Sequence, residues 1–379
     1  MKEGMKKVFI RTFGCQMNVR DSEVIYGLLQ KAGYQICASD KEADIIIFNT
    51  CSVRQHAEER VWSLIGSYKG KKVIGLVGCM AQRYKEGAFR RDKNVSFVVG
   101  PQDIYKIPEI LNKLKPQGLF ERKIWEVDSS RRPEEIYHTG FLQGKDHEYV
   151  VISEGCSNFC SYCIVQYVRG DLRHRKNKNI LLEIKEALAK GISKITLLGQ
   201  NVNAYHDDGV DFTKLLMQVN ALKGLKELNF FTSHPKDANP EFFRAIRDLD
   251  KLTKTLHLPL QSGSDRILKL MNRGYSTKDY LALIDSYRKI VKHGLLTTDI
   301  IVGFPSESEE EFKQTCDLIK QVKFNAAYIF KYSSRPNTAA ARLADLLTKE
   351  EKEKRHRKIL DLQRGISNKL RVKHANAKI

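Results

Sequence analysis

Short, continuous apolar runs, many of them β-branched, alternate with amphipathic stretches along almost the whole chain, and few architectures accept that rhythm. In the first hundred residues the runs fall at 7–12, 43–48, 73–77 and 95–99, with helical stretches at 21–32, opened by an Asp/Ser cap, and at 55–68. A strand without polar alternation is buried on both faces, as in a parallel sheet covered by helices. The alternation resumes near residue 148 with longer units. Strands are expected at 149–153, 194–198, 227–231, 255–260, 297–302 and 327–331, and helices at 181–189, 213–221, 241–247, 278–291 and 310–322. Six such units make an incomplete (β/α) barrel, whose functional edge is the one where the strands end. A chain of 379 residues can bury two cores. The polar segment 115–144 reads as a linker between an α/β domain at 1–114 and a barrel domain at 145–379 that closes with a C-terminal helix.

Six of the eight cysteines fall into two groups of three. Cys156, Cys160 and Cys163 form C-x3-C-x2-C on one short loop, a spacing that lets three sulfurs curl around one metal centre. Four thiolates saturate a cubane iron–sulfur cluster. Three leave one iron open, and an open position is what distinguishes a catalytic metal site from a structural one. The alternatives are a zinc site borrowing His147 or His174, or a disulfide pair with a spare thiol. Against zinc, no second C-x2-C half-site is visible. The second group is Cys15, Cys51 and Cys79, preceded by Gly14, Thr50 and Gly78. Each falls just past the C-terminal end of an expected strand, where an open α/β sheet binds its ligands, so three distant thiols can converge there. The alternative is a chance placement of small buried residues. Cys37 lies off this pattern, and Cys316 sits at helical spacing with Phe312 and Ile319, as a core residue does.

The chain carries 65 Lys plus Arg against 45 Asp plus Glu, a formal charge of +20. Such a surplus attracts polyanions. Arg169, Arg173, Arg175 and Lys176, clustered directly after the cysteine loop, are candidate phosphate contacts, with a solvated basic turn as the alternative. The stretch 349–358 has mixed signs and reads as a solvated helix face. No apolar stretch approaches the ~20 residues of a membrane span. With no secretory signal core, clustered thiols imply a reducing cytoplasm, where they serve metals or catalysis.

Polar residues collect at the ends of the barrel strands: Gly199, Gln200 and Asn201; Ser233 and His234; His257 and Gln261; Asp299 and Gly303. On consecutive strands they favour a cofactor pocket over simple turn chemistry. Gly199, Gly263 and Gly303 would let the backbone approach a bound molecule.

The motifs Gly14-Cys-Gln-Met-Asn18, Asn49-Thr-Cys-Ser52, Gly78-Cys-Met-Ala-Gln82, Gly155-Cys-Ser-Asn-Phe-Cys-Ser-Tyr-Cys163, His257-Leu-Pro-Leu-Gln-Ser-Gly263 and Ile301-Val-Gly-Phe-Pro305 together resemble the methylthiotransferase family of radical S-adenosylmethionine (SAM) enzymes. The resemblance covers nearly the whole chain. It implies a flavodoxin-like N-terminal domain, a radical SAM barrel of six (β/α) units and two 4Fe–4S clusters. Cys15, Cys51 and Cys79 would hold the auxiliary cluster. Cys156, Cys160 and Cys163 would hold the cluster that binds SAM, with Tyr162 beside the adenine. Gly199, Gln200, Asn201, Ser233, His257, Gln261, Asp299 and Gly303 are the expected SAM contacts. Gln16-Met17-Asn18 and Asp21-Ser-Glu23 resemble the branch that acts on isopentenyl-adenosine in tRNA, rather than those acting on threonylcarbamoyl-adenosine or a ribosomal protein. Gln166 stands where the family usually has Pro, and Asn337 where it usually has Gly. The family usually ends in a small RNA-gripping β-barrel (TRAM). The sequence ends at Ile379, about where that barrel would begin, so the expected fold has the TRAM barrel missing.

The implied reaction places a methylthio group on adenine C2, whose C–H is neither acidic nor electrophilic. Proton-transfer catalysis has nothing to act on there, so radical chemistry carried by a cofactor is needed. The implied partners are the tRNA anticodon loop, an electron donor such as flavodoxin or ferredoxin, and a sulfur source. A cytoplasmic monomer is expected. A catalytically silent RNA-binding or cluster-carrier protein is the competing reading, but a mere binder needs no open iron.

Overall fold

The structure, a computed structural model, describes residues 6–52, 55–68, 72–114, 123–127, 131–140 and 145–376. Two compact units emerge: residues 1–156 with 164–198, and residues 157–163 with 199–379.

The first unit is built on a six-stranded sheet. Gln35–Ile36, Lys7–Thr12, Ile45–Thr50, Val73–Gly78, Val95–Val99 and Ile124–Glu126 lie side by side in that order, all parallel. The chain therefore starts in the sheet, steps one way, then reverses and runs out to the other edge, a flavodoxin-like winding. Ile45–Thr50, Val73–Gly78 and Val95–Val99 are buried along their whole length. One face packs under Val24, Ile25, Leu29, Ile107 and Tyr137, the other under Val61, Trp62, Ile65 and Met80. Both faces are thus dry, as the unalternating runs required. The strand Ile124–Glu126 lies inside the segment expected to be a linker, so its described part extends the sheet. The rest of that segment at 115–122, 128–130 and 141–144 lies outside the described residues. The same unit contains the parallel pair His147–Val151 and Lys194–Leu198 with the helix Asn177–Ala189.

The first helix differs from expectation. It runs Gln16–Lys31 with Cys15 at its N-cap, instead of starting at Asp21. Asp21 and Ser22 look like caps in sequence, but both are buried inside the helix. Asp21 is claimed by arginines, and Ser22 shares a 2.7 Å hydrogen bond with Thr12. Tertiary partners override local capping preference here.

In the second unit Thr255–His257, Leu295–Val302 and Ala326–Lys331 form a parallel sheet. The strand Glu227–Phe231 precedes them. The helices between begin on side-chain caps: Asp211, Asn239, Ser264, Ser276 and Ser308, the last two in reciprocal capping boxes. Each cap contributes about 1 kcal/mol. Phe212, Phe230 and Phe242 interlock at ring separations of 5.4–5.5 Å in the core. The helix Asp265–Leu270 is too short, at six residues, to show in the sequence pattern. Asn337, where the family usually has Gly, takes φ = 70°. That left-handed conformation favours Gly and is tolerated by Asn. The helix Lys349–Asn376 packs on the strand Ala326–Lys331. No described helix is long and apolar enough to cross a membrane.

Candidate active site

In a doubly wound sheet the crevice opens where strand order reverses. Here the reversal lies between Lys7–Thr12 and Ile45–Thr50, and Cys15 and Cys51 follow those two strands. Cys79 follows the next strand and opens the helix Cys79–Tyr84. The three thiols therefore share one edge of one sheet, although the sequence separates them widely.

An amide clamp fixes that edge. Asn18 Nδ2 donates to Asn49 Oδ1 at 3.0 Å and to the Thr50 carbonyl at 3.2 Å. Asn49 Nδ2 donates back to the Asn18 carbonyl at 2.8 Å and to Ser22 Oγ at 2.9 Å. Thr50 Oγ1 donates to the Val77 carbonyl at 2.7 Å, reaching the strand before Cys79. All three residues are fully buried. Orphaning either amide would cost about 1–3 kcal/mol, so the clamp holds three strand ends in one register. Gly14 and Gly78 allow the close approach. A Cβ on Gly14 (φ = 135°) would stand 2.6 Å from Cys51 Cβ, and one on Gly78 (φ = 89°) would stand 2.7 Å from Asn49 Oδ1 and the Thr50 carbonyl. The Cys15 thiol donates to Asn18 Oδ1 at 3.5 Å. Burial pushes the Cys79 thiol up, against the pull of Arg169.

The basic run after the cysteine loop is not the exposed surface that the sequence suggests. Arg169 and Arg175 are each only 3% exposed. Arg169 Nη2 donates to Asp21 Oδ2 at 2.8 Å. Arg175 is paired with Glu183 at 2.5 Å and stacks on Tyr137 with its guanidinium carbon 3.9 Å from the ring centre. Arg173 is half-buried and donates to the Arg169 carbonyl at 2.8 Å. Only Lys176 is exposed. Buried guanidiniums need carboxylate partners, and this unit supplies them in Asp21, Glu154, Glu183 and Glu148. Around Arg20, itself fully buried, stand Glu23, Glu148 and Glu183. The run is structural, and its burial removes Arg169 and Arg175 from the candidate phosphate contacts.

In the second unit Cys160 is buried and accepts from Arg273 Nη1 at 3.3 Å. The Cys163 amide donates to the Cys160 carbonyl at 3.0 Å, which curls the loop. Asn272 Nδ2 pins the loop further by donating to the Phe159 carbonyl at 3.0 Å. Tyr162 packs against Ile267, Met271 and Phe304, and its hydroxyl lies 3.4 Å from Arg273 Nη1. Arg273 also donates to the Pro259 carbonyl at 3.0 Å and to Tyr275 Oη at 3.0 Å. Neither Arg273 nor Tyr275 stands out in the sequence. Their meaning lies in contacts with residues distant in the chain, Cys160 and Pro259.

The strand ends carry unmet polar atoms. Gln200 Oε1, Asn201 Oδ1, Gln261 Oε1 and His234 Nε2 are buried without a protein partner. Asn201 Nδ2 donates to Asp237 Oδ2 at 2.6 Å, which leaves Asn201 Oδ1 as the free end. His234 Nδ1 accepts from the Lys236 amide at 3.2 Å. Burial, then Arg273 and Lys236, push His234 down to about 2, so its ring is neutral and offers Nε2–H as a donor. Ser233 Oγ donates to the His257 carbonyl. His257 is held by Thr297 at 2.9 Å and lies 3.5 Å from Asp299. Placed at the strand ends, these four atoms offer donors and acceptors to a polar ligand such as SAM. The glycines fit less well. Cβ atoms on Gly263 and Gly303 would strike Thr315 and Lys352 at 2.5 Å, so helices of the protein itself fill the space over both. The Gly199 amide is committed to the Phe231 carbonyl at 2.9 Å. Gly263 and Gly303 are packing positions.

Among the described residues, no three Cys, His, Asp or Glu side chains already surround one point closely enough for a single metal ion. A cubane spreads its ligand sulfurs farther apart than one ion does. All-thiol donors on a short loop, and again along one sheet edge, fit iron–sulfur ligation and offer nothing to hard cations.

Comparison with known proteins agrees with this fold. Residues 150–319 match the radical SAM superfamily, and residues 7–100 match a family described only as uncharacterized, UPF0004. Among solved structures, the radical SAM methyltransferase TsrM of Kitasatospora setae superimposes with a TM-score of 0.60. It does so over 89% of this chain and 77% of its own, at 11% identity. The cobalamin-dependent SAM radical enzyme OxsB gives 0.54 over 93% and 56%, at 13% identity. At such identities the likeness concerns fold alone. The protein is a radical SAM enzyme. The tRNA-2-methylthio-N(6)-dimethylallyladenosine synthase of Thermoanaerobacter pseudethanolicus is 42% identical over 94% of this chain and 78% of its own length. The same-named protein of Caldicellulosiruptor saccharolyticus is 42% identical over 97% and 80%. The chain belongs to this family of methylthiotransferases.

Proposed function

We propose that the protein methylthiolates C2 of N6-dimethylallyl-adenosine beside the anticodon of tRNA, in the cytoplasm and as a monomer. The observation that carries this reading is the coexistence of two separate three-thiol sets, one on a loop and one on a sheet edge. A radical SAM enzyme that only generates a radical needs the first set alone. When bound, a reduced 4Fe–4S cluster on Cys156, Cys160 and Cys163 supplies reductive cleavage of SAM and, with it, the radical that removes the C2 hydrogen. Arg273 steadies Cys160 and Tyr162 of the ligand loop and ties them to Tyr275. Gln200, Asn201, His234 and Gln261 present the polar groups that would orient SAM. Cys15, Cys51 and Cys79 would hold a second cluster, the place from which sulfur is delivered. A reductant of flavodoxin or ferredoxin type and a sulfur source complete the partners. The test is mass spectrometry of tRNA nucleosides from cells lacking the protein. The 2-methylthio derivative of dimethylallyl-adenosine should vanish and its unthiolated precursor accumulate. Loss of a methylthiolated threonylcarbamoyl-adenosine instead would assign the other tRNA branch.

With Arg169 and Arg175 buried, the phosphates must meet other cations. The helix Lys349–Asn376 exposes Lys354, Arg357, Lys358, Arg364, Lys369 and Arg371, with Asp361 the single acid between 354 and 371. Along 18 residues that face runs about 27 Å, long enough to follow several phosphates. Replacing Lys354, Arg357 and Lys369 by Gln should make the log–log salt dependence of tRNA binding shallower by roughly 0.7–0.9 for each phosphate no longer neutralised. Prenylated and unprenylated tRNA should weaken alike. A salt titration of the triple variant checks this, and an unchanged slope would take the helix out of the interface.

A further inference from the structure

Arg169 is a buried cation with half of its hydrogen-bonding edge unspent. It ends the short helix Val165–Arg169. Its Nη2 is taken by Asp21, and its Nη1 is buried with no oxygen acceptor, the Cys79 thiol being the other group it interacts with. Asp21 cannot neutralise it fully, because the same carboxylate accepts from Arg132 Nη1 at 2.7 Å. Asp21 is held below the usual carboxylate range, its burial outweighed by Arg132 and then Arg169. A buried guanidinium that shares its carboxylate with a second arginine is costly unless another anion completes the shell.

The neighbour on the free side is the thiol edge. Val168 and Ile164, on and beside the same helix, pack with Cys79 in one small apolar cluster. Arg169 itself lies within electrostatic reach of the Cys79 and Cys15 thiols. Thiolates of a cluster anchored there are the anion that the arginine lacks.

We propose that Arg169 is a positioning residue, the built-in counter-charge of the auxiliary cluster, aimed by Asp21 and Arg132 through the body of the first unit. This rests on the reading that Cys15, Cys51 and Cys79 hold that cluster. A fixed positive charge beside a cluster favours its reduced, more negative form, and charge and hydrogen bonds at the sulfurs are what tune such potentials.

The test is an anaerobic redox titration of the reconstituted protein, followed by electron paramagnetic resonance with an iron count. SAM would ligate the open iron of the cluster on the Cys156 loop, so a signal shifted at once by SAM marks that cluster, and the signal missing from Cys51→Ala marks the auxiliary one. In Arg169→Gln that signal should shift to a more negative potential, or its iron should be lost while the SAM-responsive cluster remains. Arg169→Lys should restore most of the effect, because charge is the property at stake. An auxiliary potential and iron content unchanged in Arg169→Gln would overturn the proposal, as would a Lys variant no better than Gln. A wild-type chain that binds only one cluster's worth of iron would overturn the three-cysteine reading itself, and the counter-charge with it.

Discussion

Cys160→Ala should reduce 5′-deoxyadenosine formation to background in the anaerobically reconstituted protein. Two thiolates remain on the loop, too few to hold a cubane with one iron open for SAM. The loss should be specific, because Cys160 is a buried residue whose removal trims one small side chain. Arg273→Lys should be milder: the charge beside the sulfur persists, but the guanidinium bonds to Pro259 and Tyr275 do not. Chromatographic assay of 5′-deoxyadenosine with dithionite as reductant measures both variants. Normal output from Cys160→Ala would remove the loop from the chemistry.

Cys51→Ala and Cys79→Ala should behave in the opposite way. Each should cost about half of the bound iron and all methylthio product, while SAM cleavage continues. Cys37→Ala and Cys316→Ala serve as controls and should keep all iron. Cys37 donates to the Ser39 carbonyl at 3.4 Å, away from the other thiols, and Cys316 is buried within the helix Glu309–Val322. If Cys37→Ala lost as much iron as Cys51→Ala, the strand-end site would be misplaced.

Those variants can be chosen from the sequence alone, and the reason is physical. Short unalternating apolar runs, rich in β-branched residues and spaced by helical stretches, fit strands covered on both faces, so the sheet, its parallel sense and its ligand-binding edge follow from residue pattern. The later strands are legible as short apolar or β-branched stretches spaced by helices, although several alternate in burial. Charge is not legible. Arg169 and Arg175 look like a phosphate-binding run because sequence records that a side chain is charged, not that Asp21 and Glu183 wait inside to pair with it. Capping residues mislead for a related reason: Asp21 and Ser22 serve tertiary partners. Arg273 escapes notice because its meaning depends on a sulfur far away in the chain.

The amide clamp has a bearing on how the molecule matures. The Cys156 loop carries its three thiols within one turn of chain, so even a newly made, unfolded chain could capture iron there. Cys15, Cys51 and Cys79 become neighbours only after three strands have paired and Asn18, Asn49 and Thr50 have locked their ends together. Iron delivery to the two places must therefore follow different schedules. The sheet edge can be loaded only in a finished domain, and once loaded it would bind that domain's folded state alone and hold it closed.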